Sequence, residues 1–288
     1  METPATPAPR ISSGGFGRLS FGFLAVSVVS GAALVPFWSS SHALDSLERL
    51  EGGIPWGFFL RALHAFSSFG LLVATAGHIV QSLAATSERQ LRPAVWWRSV
   101  LLLPLAIMAL LGGFVLRGDA EAGAALSIWQ RIVDSIPVVG TLLARLLLGT
   151  TAGDLGAVAL HHAGTFTLLL WLLTSEHGER LLPDARSTVL AGLVSVALAG
   201  AVPFALGAPP GTPPPRVLLG PWYLLGLQGA LVDLPVAAGW AGPLLLVLLL
   251  GAIRHAGERH RRVLLVLLAA WAAGYAAFTV RLLVISRS

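Results

Sequence analysis

Residues 57–83 read GFFLRALHAFSSFGLLVATAGHIVQSL, an apolar run whose only formal charge is Arg61 and in which His64 and His78 stand fourteen positions apart. As a helix this run rises about 40 Å, enough to cross roughly 30 Å of hydrocarbon. A second apolar run, ALHHAGTFTLLLWLLTSEHG at 159–178, carries His162 and His177 fifteen positions apart. At 3.6 residues per turn these offsets return each pair to one helix face, within about 40° and about 60°, with the rings about 21 to 23 Å apart along the axis. Each helix therefore offers one imidazole near each side of a bilayer. Two such helices side by side clamp two flat cofactors, one above the other, and bis-histidine haem fits that spacing. Ionisable groups inside a membrane cost about 2 to 3 kcal/mol or more, so four such histidines imply partners.

Composition sets the compartment. Of 288 residues, 55% are hydrophobic and 11% charged, far from the balance of a soluble domain. The chain reads as an all-α integral membrane protein with about seven transmembrane helices, near 19–38, 57–83, 97–116, 157–175, 187–206, 240–254 and 263–284. The expected division is an N-terminal tail (1–18), a four-helix bundle with surface helices near 127–148 (19–183), and a three-helix membrane region (184–288). No hydrophobic run precedes the first span, so no cleaved signal peptide is expected.

Every basic residue is arginine. Arg10 and Arg18 precede the first span, Arg89, Arg92 and Arg98 follow the second, Arg180 and Arg186 follow the fourth, and RHAGERHRR (254–262) joins the last two. The positive-inside rule puts these segments in the cytoplasm and, with seven crossings, the C-terminus in the periplasm of a bacterial inner membrane. The net charge of +5 is thus a topology signal, and nucleic acid is not an expected partner. With no cysteine, the chain offers no iron–sulfur ligand, thiolate zinc site or thioether-linked haem. Histidines about 20 Å apart along a helix cannot share one metal, which argues against a metallohydrolase.

Between the third and fourth spans, GDAEAGAALSIWQRIVDSIPVVGTLLARLLLGTTAGD (118–154) suits amphipathic surface helices broken at Pro137 and Gly140. It either caps a cofactor or quinone pocket or is a plain interfacial connection.

The G-x-x-x-R-x-x-H string from Gly57 to His64, followed by His78, resembles the second helix of cytochrome b from bc-type quinol:cytochrome c reductases and their photosynthetic counterparts. DSIPVVGTLLARLLLG (134–149) is similar to that family's surface helices, and the resemblance covers most of the chain. Gly17 and Gly31 share the offset of the family's haem-facing glycines, and Ser99 and Gly113 take the equivalent places on the third span. A porphyrin lying against a helix leaves no room for a branched side chain, which gives these small residues a physical sense.

The resemblance implies two noncovalent b haems, with His64 paired to His162 on the outer side and His78 to His177 on the cytoplasmic side. His161 competes for the first pair, but its sixteen-residue offset from His177 turns it about 160° away. Arg61 is implied as a propionate partner. The third span ends GFVLRGDA where the family carries a Pro-Trp-Gly/Asp-Gln string, and Pro221-Trp222-Tyr223 stands where Pro-Glu-Trp-Tyr is usual. Proline takes no proton, so the outer quinol site reads as degenerate.

The expected function is therefore a di-haem subunit moving electrons across the bilayer between a menaquinone or ubiquinone pool and partner redox subunits. Those partners would be a multihaem cytochrome c, an iron–sulfur protein or a molybdenum protein, with membrane lipid around the chain and possible homodimerisation. Candidate quinone contacts are Trp222 and Tyr223 outside, and Arg18, Asp184 and Arg186 inside. Two alternatives stay open. One is an ordinary bc-type cytochrome b whose proton acceptor has moved to Asp119 or Glu121, and the other is a haem-free membrane anchor or transporter.

Overall fold

A computed structural model describes residues 15–149, 155–212 and 217–287. Most of the expected N-terminal tail, including Arg10, and part of the proline-rich 208–216 stretch lie outside them. Among the described residues every regular element is helical, as a chain without water to satisfy its backbone requires.

α1 (Gly15–Leu34) runs on through a 3-10 turn at Val35–Phe37, and a short amphipathic α2 (Ala43–Gly53) leads into α3 (Gly57–Ala84). After a 3-10 turn at Ser87–Arg89 comes α4 (Pro93–Val115), opened by a proline that needs no amide partner there. α5 (Ala120–Asp134) and α6 (Gly140–Leu148) form a hairpin broken around Pro137. α7 (Gly156–Ala159) passes through a π-turn at Leu160–Phe166 into α8 (Thr167–Gly178), making one rod. α9 (Ala185–Ala201), a 3-10 turn at Trp222–Leu224, α10 (Leu225–Ala230), α11 (Ala238–His255) and α12 (Glu258–Arg287) complete the chain.

α1, α3, α4 and the α7–α8 rod pack as a four-helix bundle. α1 and α3 are antiparallel, stitched by Ser20 Oγ to Thr75 Oγ1 at 2.8 Å and Ser27 Oγ to Ser68 Oγ at 2.7 Å. The middle of each helix contributes to one apolar layer, including Phe21 and Leu24, Leu71 and Leu72, Ala106 and Leu110, and Phe166 and Leu170. That layer lies between the two histidine levels on every helix.

Several boundaries move from the sequence reading, with α4 beginning at Pro93 rather than 97 and α12 at Glu258 rather than 263. Residues 15–18 belong to α1 rather than to the tail, so Gly17 and Arg18 sit on a helix. Among the described residues six helices are long and apolar enough to span, whereas α9 has 17 residues and stops at Ala201, not near 206. Its path still traverses the bundle. Gly22 meets the Ser187 backbone near the start of α9, and the segment after α9 brings Phe204 onto Arg61 and Gly207 onto Asp119. A short helix plus an extended segment thus covers the height that one longer helix was expected to cover.

α11 packs on α5 at one end, where Gly239 meets Ile132, and on the start of α4 at the other, with Gly251 under the Trp97 ring and Trp96 Nε1 donating to Leu250 O at 2.9 Å. α12 packs on α10, where Gly226 and Gly229 admit Tyr275 and Phe278.

Candidate functional site

The bundle brings the four histidines together as two facing pairs. His64 on α3 meets His162 in the π-turn with ring centres 6.0 Å apart, and His78 meets His177 on α8 at 5.5 Å. Two metal–imidazole bonds of about 2 Å set end to end require ring centres roughly 6 Å apart. The His64–His162 pair matches that span, and the His78–His177 pair is at least half an ångström shorter.

The ring orientations are set from behind. His64 Nδ1 lies 2.9 Å from Ser27 O and 3.4 Å from Ser30 Oγ, and His162 Nδ1 is 2.8 Å from Ala109 O. His177 Nδ1 is 3.2 Å from Val95 O and 3.3 Å from Ser99 Oγ. An Nδ1–H donated to a carbonyl fixes the tautomer that leaves Nε2 with its lone pair toward the partner ring. His78 is the exception, its buried Nδ1 having no hydrogen-bond partner among the described residues.

Small residues make room for the rings. A Cβ on Gly31 would lie 2.8 Å from His64 Cε1, one on Gly113 2.9 Å from His162 Cε1, and one on Gly17 3.1 Å from His78 Cε1. Ser99 takes the fourth place, beside His177. The missing side chains thus admit imidazole edges.

Among the described residues no three His, Cys, Asp or Glu side chains gather as a metal site. Each pair could supply two imidazole ligands, so a metal held there would bring its remaining ligands with it, as the iron of a macrocycle does. His161 stands apart from both pairs, its ring bonded to Leu146 O at 2.9 Å and Thr165 Oγ1 at 3.0 Å, which ties the π-turn to α6.

Arg61 has an anionic partner within the chain. It is 5% exposed, ion-paired with Glu51 of α2, hydrogen-bonded to Phe204 O, and 4.7 Å above the Phe204 ring. Glu51 thus supplies a carboxylate beside Arg61 from within the chain, in addition to any propionate implied by the resemblance. Glu51 was not among the sequence candidates, because its meeting with Arg61 depends on the turn between α2 and α3.

Asp119, a proposed proton acceptor, is fully engaged. Its carboxylate caps α5 by accepting from Ala122 N at 2.9 Å, accepts from Gly207 N at 3.0 Å, pairs with Arg117, and has a side chain 0% exposed. Glu121 is the more accessible of the two candidates, 3.0 Å from Arg117.

Trp222 and Tyr223 join an aromatic cluster with Phe69, their ring centres 5.9 and 6.3 Å from it. Burial raises the affinity of the Tyr223 phenol for its proton, so it is a neutral hydroxyl. On the other side of the bundle, Asp184 caps α9 by accepting from Ser187 N at 2.9 Å. That bond, and to a lesser degree the charge of Arg18, hold its carboxyl below the usual range. Arg186 is exposed on the first turn of the same helix.

A family profile described as cytochrome b/b6/petB matches residues 6–176, taking in α1 to α8 and stopping one residue before His177. Cytochrome b of Rhodospirillum rubrum is 26% identical over 157 residues, covering 53% of this chain and 39% of that protein. Cytochrome b6 of Auxenochlorella protothecoides is 25% identical over 159 residues, covering 54% and 74%. The matched region thus spans about two fifths of the cytochrome b relative's length. A chain of a structure titled "Hyperthermophilic respiratory Complex III" superposes with a TM-score of 0.69 at 19% identity, covering 92% of this chain and 82% of that one, so the shared fold extends through the C-terminal helices. With a profile matching more than half its length, all four bundle helices inside or at the edge of that match, and the same overall architecture, the chain belongs to the cytochrome b/b6 family.

Proposed function

We propose that this protein holds two b haems, one between His64 and His162 and one between His78 and His177, and carries electrons across the membrane between a quinone pool and a partner redox subunit. The observation that carries the reading is the pair of facing imidazoles at each level, each ring seated on a small residue of a neighbouring helix.

When bound, a bis-histidine haem supplies reversible one-electron exchange at iron. The residues of the chain do the rest. Ser27, Ala109 and Val95 carbonyls orient the imidazoles, Gly17, Gly31, Gly113 and Ser99 admit them, and the apolar layer centred on Phe21, Leu71, Leu110 and Phe166 excludes water between the levels. Because ligands on one helix are fourteen or fifteen residues apart, the two levels lie about 21 to 23 Å apart along the helix axis. An electron passed between them works against or with the membrane potential, about 2.3 kcal/mol per charge per 100 mV.

Menaquinone or ubiquinone is the expected small substrate. On the side of the His78 pair, Arg18 and Arg186 are the candidate contacts, with Asp184 retained as a helix cap. On the other side Trp222 and Tyr223 offer an aromatic wall, but with Pro221, a protonated Tyr223 and a locked Asp119 the accessible carboxylate among the residues first considered is Glu121, itself paired with Arg117. The partner there is a multihaem cytochrome c, an iron–sulfur protein or a molybdenum protein.

A reduced-minus-oxidised optical spectrum with a pyridine haemochrome count tests the assignment. Two b haems per chain are expected, with His162→Ala and His177→Ala each removing one. A folded protein without a haem band selects the haem-free anchor instead.

A further inference from the structure

The two ligand helices differ by one residue. His64 and His78 are fourteen apart in uninterrupted α3, while His162 and His177 are fifteen apart in the α7–α8 rod. In an unbroken α-helix, fifteen residues turn the second ring about 60° ahead of the first, whereas fourteen leave it about 40° behind. The two helices would then be out of phase by about 100°. Yet both pairs meet, with ring planes near perpendicular and centres 6.0 and 5.5 Å apart.

The rod departs from α geometry in one place, the π-turn at Leu160–Phe166, and His162 lies inside it. A π-turn takes up one more residue than an α-turn, so fifteen positions act as fourteen. The hydrogen bonding at the turn is matched to this. Thr167, five residues after His162, donates its hydroxyl to the His162 carbonyl at 2.6 Å. On the other flank His161 is bonded to Leu146 O and Thr165 Oγ1, which holds the turn against α6.

We propose that the π-turn, closed by the Thr167 hydroxyl, is the register device that lets His162 face His64 while His177 faces His78, with Thr167 acting as a positioning residue for the His162 ring. This inference rests on the haem assignment above. It assigns the extra residue of this helix a function, as an insertion absorbed between two ligands.

Two variants test it in the purified protein, read by haem count and by the low-spin ferric EPR signals, which respond to the mutual orientation of the two imidazole planes. Deleting Ala163, which is exposed on the turn, restores an offset of fourteen and is expected to give a regular α-helix that keeps both haems. If the deletion instead empties either level, the register argument is wrong. Thr167→Val is expected to weaken retention at the His64/His162 level by about tenfold or more and to shift that EPR signal alone, with Thr167→Ser restoring both. An unchanged signal in Thr167→Val, or equal loss at both levels, overturns the positioning role. A wild-type chain holding fewer than two haems would overturn the haem assignment itself, and this proposal with it.

Discussion

At the scale of residues, the four histidines were legible because charged or ionisable groups are rare in apolar runs, and their spacing reports a helix face directly. What seats them was only half legible. Gly17, Gly31, Gly113 and Ser99 can be found by their offsets, but nothing in the sequence says that the imidazole edge takes the space. The clearances predict a ranking. Gly31→Ala and Gly113→Ala, with added Cβ atoms at 2.8 and 2.9 Å from ring carbons, should lower haem retention at the His64 level, while Gly17→Ala at 3.1 Å should be milder. A haem count on the three variants checks it, and equal effects would show that ring clearance is not what the glycines provide. The hydrogen bonds predict a second asymmetry. His64 and His162 each have a carbonyl within 2.9 Å, whereas His177 has one at 3.2 Å and His78 has none. The His78 level should therefore release haem at lower denaturant concentration, as read from the two haem signals during a guanidinium titration. Arg61 teaches the converse lesson, since its partner Glu51 is only ten residues away yet becomes a neighbour through the turn between α2 and α3.

At the scale of elements, the first four spans were readable from length and apolarity, and the surface hairpin from Pro137 and Gly140. The joints between elements were not. Glu88 is wholly buried and pairs with Arg261 of α12 at 2.8 Å, while Arg254 of α11 donates to the Glu88 carbonyl at 2.9 Å. This brace fixes the C-terminal hairpin to the loop after α3. Removing one partner of a buried ion pair leaves the other uncompensated, so Glu88→Ala should destabilise by about 3 to 5 kcal/mol. The expected readout is a lower unfolding temperature and earlier proteolysis near Arg261, and a neutral result would mean that the pair is not holding the hairpin. The Asp184 cap gives a weaker effect with a pH signature. Asp184→Ala should cost about 1 kcal/mol at neutral pH. Because the folded carboxyl has its pKa below the ordinary value, the charge-dependent part of that contribution is complete above the unfolded pKa and disappears as pH falls through the folded one. The difference between wild type and Asp184→Ala should therefore narrow below about pH 4, measured by thermal unfolding.

At the scale of the molecule, the arginine bias supplies an orientation. Arg89, Arg98, Arg254 and Arg261 all lie at the His78 end, where Arg89 pairs with Glu258 and Arg98 with Glu176. The end carrying α2, α5 and α6 holds Asp45, Glu48, Glu51, Asp119 and Glu121 among fewer arginines. The expected topology puts the His78 end in the cytoplasm. Single cysteines at Ser87 and at Ser41, labelled with a membrane-impermeant thiol reagent in intact cells, should react only at Ser41. The reverse pattern would invert every statement about outer and inner sides.

Two kinds of information thus divide between sequence and structure. Composition and the 3.6-residue period determined by themselves that the chain is a helical membrane protein with two levels of paired imidazoles, because both follow from the cost of polar groups in hydrocarbon and from helix geometry alone. The tertiary structure decided what depends on neighbours distant in sequence. It gave Arg61 its carboxylate, locked Asp119 under the segment after α9, set the imidazole tautomers through carbonyls of adjacent helices, and absorbed the odd fifteenth residue in a π-turn. The first three are contacts between elements and the last is a backbone irregularity, and a local pattern of hydrophobicity and charge carries no information about either.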